Sequence, residues 1–232
     1  MTTAPLLIFG AGAIGSAMAE AAQAAPGGPP VHVVSRRPGA PEGTTAHILD
    51  AGDATALEGL AGALPAISGL LITTGTLHTE RYAPEKSLKA LDPEAMAEVY
   101  RVNTILPALI FRHFLPRLPR DRPAFAAALS ARVGSISDNA LGGWVSYRAS
   151  KAALNQVIRT FSIELARTHP EARLLGLHPG TVATPLSKPY RGNAPRVFTP
   201  AESAALLWRT IEASTPEDSG KLLAWDGQEI AP

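Results

Sequence analysis

The sequence predicts an α/β fold: a doubly wound sheet of seven parallel strands with helices on both faces. Short apolar runs alternate with longer amphipathic stretches along the 232-residue chain. A glycine-rich turn, Gly10-Ala-Gly12-Ala-Ile14-Gly15, joins the first apolar run to an alanine-rich stretch. Strands separated by helices pair in parallel, and right-handed crossovers cover both faces of the sheet.

Taken in chain order, Leu6–Phe9 (LLIF) reads as the first strand and Ile14–Ala25 as the first helix. The segment Gln23–Pro30 (QAAPGGPP) is a loop, rich in turn residues, that leads to a strand at Val31–Val34 (VHVV). A strand at Thr45–Leu49, a helix at Ala54–Ala63 and a strand at Ile67–Ile72 follow. Next come a long helix at Pro93–Leu115, a strand at Ala124–Leu129 (AFAAAL) and a second long helix at Trp144–Thr168. Arg173–Leu177 (RLLGL), a helix at Pro200–Ser214 and Lys221–Ala224 (KLLA) complete the pattern. We expect residues 1–232 to form one domain, and 46% hydrophobic content supports a sizeable core.

Composition narrows the partners. Net charge is +1, with no basic stripe or acidic tail, so nucleic acid is not an expected partner. No run of about 18 apolar residues occurs, so no membrane span is expected. MTTAPLLIFGAG lacks the positive n-region of a signal peptide. There is no cysteine, hence no disulfide and no thiolate metal site, which suits a cytoplasmic location. The six histidines show no metal-ligand spacing, and no metal is expected.

Three features carry chemistry. The first is the glycine turn, which follows a strand and opens a helix. There the backbone can approach a pyrophosphate, and free N–H groups with a partial positive charge face it. Gly10, Gly12, Ile14 and Gly15 are its candidate contacts, in a Rossmann-like arrangement. The second is the end of the second strand, VHVVSRRPG. A carboxylate there would mark NAD; Ser35, Arg36 and Arg37 stand there instead and suit a 2′-phosphate, favouring NADP(H) over NAD(H). Asp50, closing the third strand, can accept from an adenine amine or cap the next helix. The third is Tyr147 and Lys151, four apart on one helix face. A neighbouring ammonium favours phenolate, so the pair suits acid–base work on a carbonyl or alcohol oxygen.

In this order, Gly10–Gly15, Asn103, Tyr147-x-x-x-Lys151 and HPGTVAT (His178–Thr184) resemble the short-chain dehydrogenase/reductase family over essentially the whole chain. LSARVGSISDNALGGWVSYRASKAALNQ and AWDGQEI further resemble its C-factor or sniffer-like carbonyl reductases. The resemblance implies that Tyr147 protonates the substrate oxygen and that Lys151 holds the nicotinamide ribose. It implies that Thr184, with Pro179, Gly180 and Val182, holds the carboxamide, and that Asn103 positions a relay water. Pro107, four residues after Asn103, has no N–H to give the Asn103 carbonyl, which leaves that acceptor free.

The pattern breaks in three places. The family's serine slot, three before Gly134, holds Ala131; Ser130 and Ser135 flank it, and we favour Ser135, twelve before Tyr147. The first turn reads G-x-G-x-x-G, one residue shorter than the family's G-x-x-x-G-x-G. The fourth strand ends Ile72-Thr73-Thr74-Gly75 instead of Asn-Asn-Ala-Gly, so the asparagine brace between strands is expected to be absent. Thr73, Thr74 and Gly75 remain candidate cofactor contacts.

Two functions follow: an NADPH-dependent reductase of ketones or aldehydes, or a dinucleotide-binding signalling protein with little turnover. A sugar-nucleotide epimerase would need a C-terminal substrate domain, and only about 50 residues follow Gly180. Residues 185–199 are expected to form a lid over a small-molecule carbonyl. The three tryptophans are expected in packing or interfaces. The helix from Trp144 resembles the family's dimer helix, giving a homodimer or homotetramer.

Overall fold

A computed structural model of the protein describes residues 4–192 and 195–232. Seven strands, β1 (Leu6–Phe9), β2 (Val31–Ser35), β3 (Thr45–Ile48), β4 (Gly69–Ile72), β5 (Ala124–Leu129), β6 (Ala172–His178) and β7 (Leu222–Ala224), form one sheet. Their order is β3-β2-β1-β4-β5-β6-β7, and every pair is parallel. The order reverses between β1 and β4, which opens a crevice beyond the carboxyl ends of those strands. This is the Rossmann-like, doubly wound architecture that the sequence pattern predicts.

Helices α1 (Ala13–Ala24) and α6 (Pro200–Ala213) cover one face of the sheet. Their Met18, Ala19, Leu207 and Ile211 pack on Ile8, Val33, Leu71 and Leu175. On the other face lie α2 (Ala54–Ala63), α3 (Pro93–Tyr100), α4 (Leu106–Phe114) and α5 (Val145–Leu165). There Leu57, Phe111, Phe114, Leu154 and Ile158 pack on Leu7, Phe9, Leu70 and Ile72. All these side chains are at least nine-tenths buried, each worth roughly 1.5–3 kcal/mol in transfer from water for the larger aliphatic and aromatic groups. Alternate residues of the central strands point to opposite faces, so each strand is apolar throughout.

Local chemistry sets the helix ends. Asp53 caps α2 by accepting from Thr55 N (2.9 Å) and Ala56 N (3.2 Å). Thr199 and Glu202 form a capping box on α6. Each such cap contributes about 1 kcal/mol. The expected helix Pro93–Leu115 is instead three segments: α3, a π-turn at Arg101–Ile105, and α4. Pro107 lacks the N–H that an α-helix would give the Asn103 carbonyl, and the Leu106 N–H bonds Arg101 O across the wider turn. Trp144, expected as the first helical residue, is a left-handed N-cap of α5 (φ 53°, ψ 41°).

Candidate active site

The glycine turn is built on steric necessity. Gly10 has φ 113°, and a Cβ there would lie 2.5 Å from Thr73 Oγ1. A Cβ on Gly15 would lie 2.0 Å from Gly10 O. By contrast, a Cβ on Gly12, the N-cap of α1, would meet nothing within 4 Å, so its backbone faces open space at the helix N-terminus. The Thr73 hydroxyl donates to Phe9 O (3.0 Å) and Gly10 O (3.1 Å). The asparagine brace between strands is absent, and the Thr73 hydroxyl ties the end of β4 to the end of β1 in its place. Thr73 turns its hydroxyl toward the β1 turn.

A groove of about 590 Å³ runs along this crevice, lined by Gly10, Gly12, Ser35, Arg36, Arg37, Asp50, Thr73, Thr74 and Gly75. Ile14 and Gly15 are outside the lining; Ile14 packs on the core beneath the turn. Arg36 and Arg37 are exposed at the end of β2, and the Ser35 hydroxyl donates to Arg37 O (2.6 Å), shaping the bend that carries them. Asp50 does not cap α2, since Asp53 does; its Oδ1 accepts from Gly52 N at 2.9 Å. Thr74 Oγ1 is buried with no hydrogen-bond partner, an orphan on the groove floor that a ligand can satisfy. Open backbone at Gly12, that orphan hydroxyl and the two exposed arginines beside the groove fit a dinucleotide.

At its Gly75 end the groove approaches Asn103 and Lys151. A Cβ on Gly75 would lie 3.5 Å from Asn103 Oδ1 and 3.6 Å from Lys151 Nζ, so these three groups converge. The Asn103 side chain holds the loop after β4 against α5. Its Oδ1 accepts from Thr76 N (2.8 Å), and its Nδ2 donates to Thr76 O (2.9 Å) and Ser150 Oγ (3.1 Å).

Lys151 is buried, and its Nζ donates to Leu129 O at 2.9 Å and lies 5.9 Å from the Tyr147 ring centroid. Gly134 permits this approach, since a Cβ there would sit 2.8 Å from Lys151 Cβ. Burial pushes the Tyr147 phenol up to about 12 and brings Lys151 down to about 8. The expectation of a phenol acidified by its neighbour is thus corrected. Lys151 spends its proton on a carbonyl, and desolvation favours the neutral form of both groups. The phenol is therefore protonated near neutrality.

The serine candidates are both engaged. Ser130 Oγ donates to Asn155 Oδ1 (2.7 Å). Ser135, almost fully buried, accepts from Asp138 N (3.1 Å) and lies 3.4 Å from Ser137 Oγ. The segment after β6 supplies mainly backbone. Gly180 has φ 75°, and a Cβ there would meet the Phe198 ring at 2.7 Å. Pro179 O accepts from Ser203 Oγ (2.9 Å), Val182 is buried, and the Thr184 hydroxyl pairs with Ser187 Oγ (3.3 Å).

Within the expected lid, Phe198 is a core residue packed on Trp225, and Tyr190 alone among its aromatics reaches the acid–base pair's surroundings. Residues 193 and 194 of that lid lie outside the described residues. Trp144 stands edge-on to Tyr147 (6.4 Å) and to Tyr190 (5.3 Å), and His78 meets Tyr190 at 5.5 Å. Sequence reasoning left Trp144 to packing and missed His78; the only signal was that Trp144 stands three residues before Tyr147. The described residues contain no cluster able to hold a metal and no helix long and apolar enough to cross a membrane.

Known proteins resemble this chain in sequence and in fold. The chain is 37% identical over 138 residues to 1-hydroxy-2-glutathionyl-2-methyl-3-butene dehydrogenase of Rhodococcus sp. (strain AD45), a match covering 60% of this chain and 59% of that protein. It is 32% identical over 146 residues to C-signal of Myxococcus xanthus, covering 62% and 82%. Its fold superposes on carbonyl reductase Sniffer of D. melanogaster with a TM-score of 0.87, at 20% identity over 99% of this chain and 100% of that one. The profile of the short chain dehydrogenase family matches residues 6–194. The chain therefore belongs to the short-chain dehydrogenase family.

Proposed function

We propose that the protein is an NADPH-dependent reductase of ketones or aldehydes, reversible as an alcohol dehydrogenase. The observation that carries this reading is the convergence of Gly75, Asn103 and Lys151 where the groove meets the Tyr147 helix. Bound NADPH supplies hydride to the carbonyl carbon. Tyr147, protonated near neutrality, gives its O–H proton to the carbonyl oxygen as charge develops there. Lys151 exchanges a proton near pH 8 and holds the ribose side of the site. The Asn103 carbonyl, denied an N–H by Pro107, accepts from a relay water.

Ser135, which accepts from Asp138 N, takes the place of the hydroxyl that Ala131 lacks, its hydrogen turning from Ser137 Oγ to the substrate oxygen. Thr184 and the backbone from Pro179 through Gly180 to Val182 form the carboxamide end. Arg36, Arg37 and Ser35 select the 2′-phosphate.

The wall of His78, Trp144 and Tyr190 beside Tyr147 favours an apolar or aromatic carbonyl. The Rhodococcus relative is by its name a dehydrogenase of a hydroxy compound that carries a glutathionyl group, in line with an alcohol–carbonyl couple. A regulatory dinucleotide-binding role is the second reading, favoured by the missing hydroxyl at Ala131 and by the match to C-signal. Fluorescence titration with NADPH and NADH, then a carbonyl panel followed at 340 nm, separates them. Tight NADPH binding with turnover of an aromatic ketone or quinone supports the reductase; binding without oxidation on any carbonyl supports the regulatory role.

A further inference from the structure

Among the described residues, Glu85 and Lys151 are the only Asp, Glu, Lys or Arg side chains that are buried. Lys151 belongs to the site above; Glu85 has no place in it. Glu85 lies in the long connection between β4 and α3, 6% exposed, and it takes part in no ion pair among the described residues. A buried carboxylate needs compensation from donors around it.

Glu85 finds them at the start of α5. Its Oε2 accepts from Ser146 N at 3.3 Å, and its Oε1 accepts from the Ser146 hydroxyl. The free N–H groups and positive dipole end of a 21-residue helix complete the setting. The backbone of the same residue acts too: Glu85 O accepts from Trp144 N at 2.6 Å.

That second bond falls on a strained residue. Trp144 is the only non-glycine with positive φ among the described residues, and it follows Gly142 and Gly143, both also left-handed. A bulky side chain in that region is strained and persists only when its surroundings hold it. Glu85 holds it by the backbone, and it holds Ser146, two residues on, by the side chain. Tyr147 follows directly, with Trp144 edge-on to its ring. The chain therefore enters the Tyr147 turn already fixed at two points, Trp144 and Ser146, by one residue far back in the sequence.

We propose that Glu85 is a positioning residue for the Tyr147 phenol, clamping the left-handed Trp144 and the first turn of α5. It acts through Ser146 and Trp144 and touches no reacting atom. The role rests on Tyr147 as the proton donor, but the placement of the phenol is measurable without turnover.

The test compares Glu85→Ala, Glu85→Gln and Ser146→Ala in the full chain. Glutamine retains an oxygen for Ser146 N and offers N–H to the Ser146 hydroxyl, so it is the rescue variant. Phenol ionisation is read at 295 nm as the difference between each protein and its counterpart carrying Tyr147→Phe. In Glu85→Ala the loosened turn admits water, and the Tyr147 titration moves down by more than one pH unit; in Glu85→Gln it stays with the parent. With NADPH and phenanthrenequinone, kcat falls at least tenfold in Glu85→Ala, with the NADPH Kd within twofold of the parent, and Glu85→Gln recovers it. Ser146→Ala shows the same pattern more weakly, and its effect does not add to that of Glu85→Ala.

An unmoved phenol titration in both Glu85→Ala and Ser146→Ala overturns the inference. So does a loss of turnover that only tracks loss of folded protein or of NADPH binding. If Tyr147→Phe itself turns over, the reductase mechanism fails instead, and the titration still decides the role of Glu85.

Discussion

Replacing Lys151 with methionine should abolish turnover and at the same time stabilise the cofactor-free protein at neutral pH. The native amine is brought from 10.5 to about 8 by burial, a difference of about 2.5 pH units. At about 1.4 kcal/mol per unit, the protonated amine costs the native state about 3 kcal/mol. That cost is present in full below pH 8, where native and unfolded chains both carry the proton. Between pH 8 and 10.5 the unfolded chain holds a proton that the native chain has released, so wild-type stability rises with pH and the cost vanishes above 10.5.

Methionine fills the aliphatic volume but leaves Leu129 O without its donor, a loss of about 1–2 kcal/mol. The net expectation is a Lys151→Met protein more stable by about 1–2 kcal/mol at pH 7, an advantage that shrinks by about 2 kcal/mol at pH 9.5. Urea unfolding of both proteins at the two pH values measures it, and groups common to both cancel in the difference. A stability difference that does not change with pH would refute the reasoning.

Other consequences are simpler. His178 is half-buried, its Nδ1 is enclosed with no partner among the described residues, and desolvation lowers it to about 4, so the native ring stays neutral where the unfolded ring binds a proton below pH 6.5. Wild type should lose about 2 kcal/mol between pH 7 and 4.5 that His178→Gln does not lose, read from urea midpoints. Removing both Arg36 and Arg37 to alanine should raise the NADPH Kd at least tenfold and leave the NADH Kd within twofold, measured by nucleotide fluorescence; equal weakening of both would remove the 2′-phosphate argument.

Much of the fold was legible because it rests on local pattern. Ala124–Leu129 and Ala54–Ala63 match the structure to the residue, since an apolar run and a helical period need no distant partner. The π-turn was half-visible: Pro107 announces a lost hydrogen bond, but not that the backbone would widen to absorb it.

What escaped reading depends on contacts far apart in sequence. Thr73 replaces an asparagine brace only because it meets Phe9 and Gly10, 64 and 63 residues away. Glu85 belongs to no motif, and only the fold brings it to the start of α5. The serine slot stayed ambiguous because strand alternation does not fix where a short loop turns its hydroxyls. Acidity of the Tyr147 phenol was misjudged because a four-residue spacing states proximity, but says nothing of desolvation or of Lys151 turning to Leu129 O.

The most direct test of the account is the rate of NADPH oxidation at 340 nm by Tyr147→Phe, alongside its NADPH Kd. The account predicts loss of turnover by at least a hundredfold, the scale of a removed general acid, with the Kd within twofold of wild type. A Tyr147→Phe protein that reduces the carbonyl at the wild-type rate would contradict it.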